Sequence, residues 1–330
     1  MSSFPGKPRL NYNRRQALGI GLAGCACVVC GSANAATLDY GLKAEEIAPG
    51  TFGVFGEREY FTFANGGNIV NTAFIAVPDG VVVVDTGPSK RYGEQLKALI
   101  DHTLPGKRIL RVYNTHHHPD HFLGNQAFER AAIAAPQKVI DNIEAEGDAF
   151  ADNMYRLVGD WMRGTAPVSP GTAIDTDGED VGGRNFTFFR LSGHTSADFA
   201  VRDDETGLLF SGDVAFLDRA PTTPHADLAR WREAINTLQS ADIATVVPGH
   251  GPADPAGRSF IQTRDWLDWL DGTLRDAVSR GLTENEAMEI PLPARFAALN
   301  VAPGEYRRSV VHFWTRLEDE LLPEIEVDRK

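Results

Sequence analysis

The chain has 330 residues, 42% of them hydrophobic, and carries 45 acidic against 32 basic residues for a net charge of −13. That length suits one large α/β domain, or a domain with an appendage, and the acidic balance argues against non-specific nucleic-acid binding. The three cysteines, Cys25, Cys27 and Cys30, all lie near the N-terminus, which leaves the rest of the chain without disulfide, thiol nucleophile or thiolate ligand.

Arg14-Arg15 precede an apolar run from Ala17 to Gly31, no acidic residue occurs before Asp39, and Ala33-Asn34-Ala35 supplies a small-x-small cleavage site. Residues 1–35 therefore read as a twin-arginine export signal directing a folded protein to the periplasm. The run is too short for an ordinary transmembrane helix. Leu22-Ala23-Gly24-Cys25 admits another reading, a lipoprotein box that would tether the chain to a membrane through Cys25; the apolar Val28-Val29 beyond it favours soluble export. Cleavage after Ala35 removes Lys7, Arg9, Arg14 and Arg15 and takes the charge from −13 to −17. Residues 36–330 read as one domain, with 256–330 a helical extension packed on it.

Thr51-Phe55, Tyr60-Phe63 and Asn68-Val77 have strand composition, and Pro78-Asp79-Gly80 is a turn before the buried strand Val81-Val84. Asp85 at that strand's end reads as a buried carboxylate bracing its neighbours. Ser89-Thr103 is a helix with Leu96, Leu99 and Ile100 inward. Ile109-Asn114 is a strand, and Phe122-Arg130 reads as a helix. Val139, Ile143, Phe150, Met154, Leu157 and Trp161 keep helical spacing between Pro136 and Gly164. Tyr155, Trp161 and Met162 near its end are candidates for a pocket wall. Asn185-Leu191 is a strand; Phe199-Val201 and Gly207-Phe210 form a hairpin whose second strand ends at Ser211-Gly212-Asp213. A helix through Leu228, Trp231, Ile235 and Leu238 leads to the strand Thr245-Val247, ending in Pro248-Gly249-His250. From Asp254 onward the pattern is helical, with Thr283-Glu284-Asn285-Glu286 in capping-box form.

The densest chemistry is Thr115-His116-His117-His118-Pro119-Asp120-His121. Four of the nine histidines fall here, at the C-terminal end of a strand, where α/β sheets gather functional groups. His116 and His118, two apart on extended backbone, point the same way, while Asp120 and His121 lie past the turn at Pro119. His117 faces away and is structural. His194, Asp213 and His250 each sit beside a glycine after a strand, and with His116, His118, Asp120 and His121 they make seven N/O ligands. That number suits two metals: one on His116, His118 and His194, the other on Asp120, His121 and His250, with Asp213 shared. Two cations roughly 3.5–4 Å apart can hold a hydroxide between them. Asp120 is also a candidate proton carrier to the leaving group. Arg219 and His225 are candidate substrate contacts, with Trp161 on the same wall; His102 and His312 read as structural.

Thr-His-x-His-x-Asp-His at 115–121, followed by His194, Asp213 and His250, resembles the metallo-β-lactamase superfamily, over about residues 50–255. The resemblance implies an αβ/βα four-layer sandwich with two Zn2+ ions, iron being the alternative, at one sheet edge. The ligand set is similar to the glyoxalase-II-like dinuclear branch, and implies a hydrolase of an ester, thioester, lactone or amide in a small-molecule substrate. One class of true β-lactamases has cysteine where Asp213 stands and another has no metal ligand there, so the resemblance keeps β-lactamase activity only as an alternative that Asp213 does not favour. A mononuclear iron persulfide dioxygenase and a non-catalytic metal-binding relay partner are others. The stretches 114–125 and 246–252, with the export signal, resemble the periplasmic quinoprotein relay system zinc metallohydrolases. That resemblance implies a place near a quinoprotein dehydrogenase system.

Overall fold

The computed structural model describes residues 38–322, so residues 1–35, read above as an export signal, and Cys25 among them lie outside the described part. Leu38 and Asp39 belong to one unit, Met1–Asp39, and Tyr40–Lys330 form a second. In the second unit, β1 (Glu45–Ala48), β2 (Thr51–Val54), β3 (Thr72–Val77), β4 (Gly80–Val84), β5 (Ile109–Tyr113), β6 (Ile133–Pro136) and β7 (Thr172–Ile174) form a seven-stranded sheet in that order. It is antiparallel through β4 and parallel from there to β7. A five-stranded sheet holds β8 (Gly178–Asp180), β9 (Asn185–Leu191), β10 (Asp198–Asp203), β11 (Leu208–Phe216) and β12 (Thr245–His250), with only the β11–β12 pair parallel.

The period-two pattern of the strands decides the layers. Ala73, Ile75 and Val77 of β3, with Val82 and Val84 of β4, meet Phe186, Phe188, Val201 and Phe210 of the other sheet in the central core. The intervening Phe74, Val81 and Val83 face the opposite way, onto Tyr92, Leu96 and Ile100 of α1 (Lys90–Thr103). On the far side of the second sheet, Ala200 and Leu209 pack against α4 (Leu228–Gln239), α5 (Arg258–Ser279) and α8 (Ala302–Leu321). Helix, sheet, sheet, helix is the four-layer sandwich expected, with the C-terminal helices closing one face. Between them, α2 (Pro119–Phe122) and α3 (Gln137–Val158) follow β5 and β6, and the short α6 (Glu284–Met288) and α7 (Ala294–Ala297) precede α8. Thr283 and Glu286 cap α6 reciprocally, as their spacing requires. Among the described residues no helix is long and apolar enough to cross a membrane.

Several expected elements differ. Tyr60-Phe63 is not a strand: the Asn65 side chain accepts from Thr62 N and Gly67 N and donates to the Tyr60 carbonyl, folding the segment into a turn. The Phe122-Arg130 helix is broken into α2 and a 3-10 turn at Leu123–Ala127. Gly124 lies against the Thr86 carbonyl, only 2.0 Å from where a Cβ would sit, and Asn125 spends its side chain on Asn114, Thr86 and Val168. Asp213 lies inside β11 rather than at its end, since that strand continues to Phe216. The helix expected from Asp254 begins at Arg258, because the Asp254 carboxylate accepts from Ala256 N and Ser259 N in the turn before it.

Candidate metal centre

Every element of the site hangs from an edge where β4, β5, β11 and β12 end or turn. Parallel pairing of β4 with β5 and of β11 with β12 brings Asp85, the 115–121 loop, Asp213 and His250 to the same edge. The loop after β9 adds His194, held by the Asp198 carboxylate, which accepts from the backbone N–H of His194 and Thr195 and from the Thr195 hydroxyl. Burial pushes the Asp198 carboxyl up to about 7.

The seven residues singled out in the sequence come together in two groups. His116, His118, His194 and Asp213 offer ligand atoms within 4.8 Å of one another, and so do Asp120, His121 and His250. Asp213 lies between them: Oδ1 is 3.2 Å from His121 Nε2, while Oδ2 is 3.3 Å from both His194 Nε2 and His250 Nε2. Asp120 Oδ2 is 3.5 Å from His250 Nε2. All seven side chains are buried, and among the described residues His116 Nε2, Asp120 Oδ2, His121 Nε2 and Asp213 Oδ1 make no hydrogen bond. A buried polar atom left unpaired costs about 1–3 kcal/mol. Four such atoms in two adjoining groups are explained by cations they would bind, so the residues fit a metal centre.

The outer nitrogens show how the rings are aimed. Asp85 accepts from Thr115 N at 2.9 Å, from Thr115 Oγ1 at 2.8 Å and from His121 Nδ1 at 2.7 Å. It is the bracing carboxylate expected, reached through a left-handed backbone, φ 57°. His250 Nδ1 donates to the Ile69 carbonyl at 2.7 Å, and His116 Nδ1 lies 3.1 Å from Thr115 Oγ1. In each case the proton is fixed on Nδ1, leaving the Nε2 lone pair directed inward. His118 is turned the other way. Its Nδ1 is 2.9 Å from His194 Nε2, while its Nε2 is 2.8 Å from His225 Nδ1.

Charge divides the two groups. Burial drives His116 and His118 well below the ordinary histidine range and His194 down to about 3, so these imidazoles are neutral and ready to ligate. Burial also opposes charge on His121, but Asp213, Asp120 and Asp85 outweigh it and hold His121 well above that range. Burial acts against ionised Asp213 too; His250, His121 and His194 overcome it and keep Asp213 well below the carboxylate range. A cation there would replace the His121 proton.

A cavity of about 510 Å3 opens over this floor. Its walls are Tyr60, Phe61, Phe150, Leu157, Arg219, His225, Arg308 and His312, among others. His225 is therefore at the site, as expected. Arg219 lines the cavity but is 2% exposed and committed: it donates to Thr222 and the Ala220 carbonyl and pairs with Glu305 at 3.6 Å. Trp161 is not among the lining residues; its indole N–H donates to the Phe63 carbonyl and its ring packs on Tyr40 and Gly66, bracing the turn behind the wall. Tyr155 is exposed and Met162 is core. His312, read as structural, lines the cavity instead, whereas His102 is on the α1 surface. His117 is buried outside the two groups, 3.6 Å from Glu146. Arg308, Phe150 and Phe61 carried no local motif; only the apolar spacing of α3 hinted at Phe150.

Known proteins resemble this chain in sequence and in fold. The linear primary-alkylsulfatase of Pseudomonas sp. (strain ATCC 19151) is 23% identical over 72% of this chain, which spans 53% of that protein's length. The human acyl-coenzyme A thioesterase MBLAC2 is 28% identical over 65% of this chain and 84% of its own. The hydroxyacylglutathione hydrolase of Erythrobacter litoralis (strain HTCC2594) is 28% identical over 40% of this chain and 42% of its own, a relative on the glyoxalase-II side. In structure, the inverting sec-alkylsulfatase Pisa1 from Pseudomonas sp. superposes with a TM-score of 0.63 at 18% identity, covering 83% of this chain and 50% of that one. The metallo-beta-lactamase superfamily model matches residues 65–250, more than half of the chain, and that span runs from the turn behind the cavity to the last of the seven clustered side chains. By fold and by family match alike, this chain belongs to the metallo-beta-lactamase superfamily.

Proposed function

We propose that the chain is an exported dinuclear zinc hydrolase acting on an ester or thioester of a small molecule. The observation that carries this reading is the Asp213 carboxylate set between two groups of inward-facing donors, one with neutral imidazoles and one carrying a second carboxylate. Ions held by His116, His118 and His194 and by Asp120, His121 and His250, with Asp213 shared, would lower the pKa of water and offset charge developing on the substrate oxygen. Zinc is proposed over iron because hydrolysis needs no redox change.

The protein's own groups do the positioning. Asp85, Thr115 and the Ile69 carbonyl fix three rings before any ligand arrives. Asp120, on the cavity floor, is the group placed to pass a proton to the leaving atom. Phe61, Phe150 and Leu157 hold an apolar arm of the substrate and keep bulk water out. The thioesterase, hydroxyacylglutathione hydrolase and alkylsulfatase relatives support hydrolysis. Twin-arginine export and a place beside a quinoprotein system belong to the same proposal, on Arg14-Arg15 and on the stretches 114–125 and 246–252.

A panel of acyl thioesters, aryl esters, lactones and alkyl sulfates given to zinc-loaded protein tests the reading. The expected result is turnover of an ester or thioester that is lost in Asp120→Ala. Oxygen uptake with a persulfide by protein holding a single iron would contradict it.

A further inference from the structure

The family match ends at residue 250, yet the cavity has a wall from beyond it. Helix α8 contributes Arg308 and His312 there, facing His225 and the committed Arg219. Glu305, fully buried one turn before Arg308, organises these cations. Its Oε1 accepts from Arg308 Nη1 at 3.0 Å and from Thr222 Oγ1 at 3.2 Å, and lies 3.6 Å from Arg219 Nη2. Two guanidinium groups thus share one carboxylate, leaving a net positive charge in the wall of a protein whose overall charge is −13.

The two arginines differ in what they have left to offer. Arg219 is buried, and its three guanidinium nitrogens all lie within 3.4 Å of acceptors on Glu59, Ala220 and Thr222. Arg308 is 46% exposed on its side chain, and among the described residues only Nη1 is engaged, both times with Glu305. Its Nε and Nη2 have no partner there. A guanidinium anchored at one corner and open at the others is pre-organised to receive a planar or tetrahedral oxyanion. Beside it stand Tyr60, Phe61, Phe150 and Leu157, an apolar surface without acidic side chains; among the described residues the only carboxylates lining the cavity are Asp120 and Asp213 on its floor.

We infer that Arg308 is a specificity-determining residue selecting an amphiphilic, anionic substrate: an apolar arm against Phe61, Phe150 and Leu157, and a carboxylate, sulfate or phosphate on the Arg308 guanidinium. The inference rests on the reading of this cavity as the substrate site. It assigns the C-terminal helix the task of choosing the substrate, while the family-matched residues hold the reacting centre. Glu305 is a positioning residue that acts through Arg308.

Binding, read without turnover, tests it. Octanoate, octyl sulfate, octyl phosphate and neutral octanamide are titrated calorimetrically into the zinc-loaded and the metal-stripped protein, for wild type, Arg308→Lys and Arg308→Met. A charge-assisted hydrogen bond corresponds to about tenfold or more in affinity. Wild type is expected to favour at least one anion over octanamide by that factor in both metal states. Arg308→Lys keeps part of the preference, and Arg308→Met removes it from the stripped protein. Which of the three anions binds tightest identifies the headgroup. Preference that survives Arg308→Met in stripped protein, or that occurs only with zinc present, overturns the assignment, because the anion is then held elsewhere. Arg308-dependent binding with no hydrolysis of any panel substrate would retire the hydrolase proposal and leave this one standing.

Discussion

Replacing Asp85 with asparagine isolates the link between hydrogen bonding and metal affinity, because it alters one atom and almost no volume. Asp85 Oδ1 accepts from a backbone N–H, that of Thr115, which cannot turn away. The new amide nitrogen must therefore take the place of Oδ2, facing Thr115 Oγ1 and His121 Nδ1. The hydroxyl can rotate to accept. The imidazole can accept only by moving its proton to Nε2, the atom 3.2 Å from Asp213 Oδ1 that would bind metal. Restoring the ligating tautomer sets an N–H against an N–H in a buried site and costs about 1–3 kcal/mol. That corresponds to a loss of about 10–100-fold in affinity at the His121 position, the scale typical of such outer partners. The His116, His118, His194 position reaches Asp85 only through the Thr115 hydroxyl, which can still accept from His116 Nδ1, and should be weakened less. Stepwise zinc titration against a chelating indicator resolves the two. Two ions bound as in wild type, or two weakened equally, would refute the tautomer argument.

Other perturbations probe the framework. Gly249→Ala places a Cβ 1.9 Å from Asp213 Oδ1, so it should displace the shared carboxylate and reduce bound zinc below two per chain; full loading, measured by elemental analysis, would show the strand can yield. Arg184, just before β9, and Asp203 of β10 form a buried pair, at 2.7 and 2.5 Å. Burial works against the Asp203 charge, but bonds from Arg184 and Thr206 prevail and its carboxyl lies below the ordinary range. A depressed carboxyl stabilises the fold above its unfolded pKa of about 3.9 and loses that contribution as pH falls through the lower, folded value. Arg184→Met should therefore destabilise by about 3–5 kcal/mol near neutral pH. In urea titrations its gap from wild type should narrow below about pH 4; a gap independent of pH would exclude the pairing as its cause.

Much of the site was legible because metal chemistry restricts residue type. Seven histidine and aspartate positions, read from spacing and strand ends, converge in the fold, and Asp85 braces them as its place after Val84 indicated. The two-sheet core was legible for a similar reason: alternation at Ala73, Ile75 and Val77 leaves only one way to face. What failed was governed by tertiary hydrogen bonds. Asn65 and Asn125 each fold a segment whose apolar residues suggested a strand or a helix. The cavity wall was least visible, since Trp161, the conspicuous aromatic, braces a turn, while Arg308 and His312 arrive from a helix that reads as ordinary amphipathic packing. Nothing in local sequence says that α8 lines a site made more than fifty residues earlier.

The proposed centre depends on Asp213 serving two ions at once. Elemental analysis and zinc titration of Asp213→Ala beside wild type address it most directly. Wild type should bind two zinc ions per chain, and the variant should lose affinity at both positions. One ion bound in wild type, or a variant that loses one ion and keeps the other at full affinity, would contradict it.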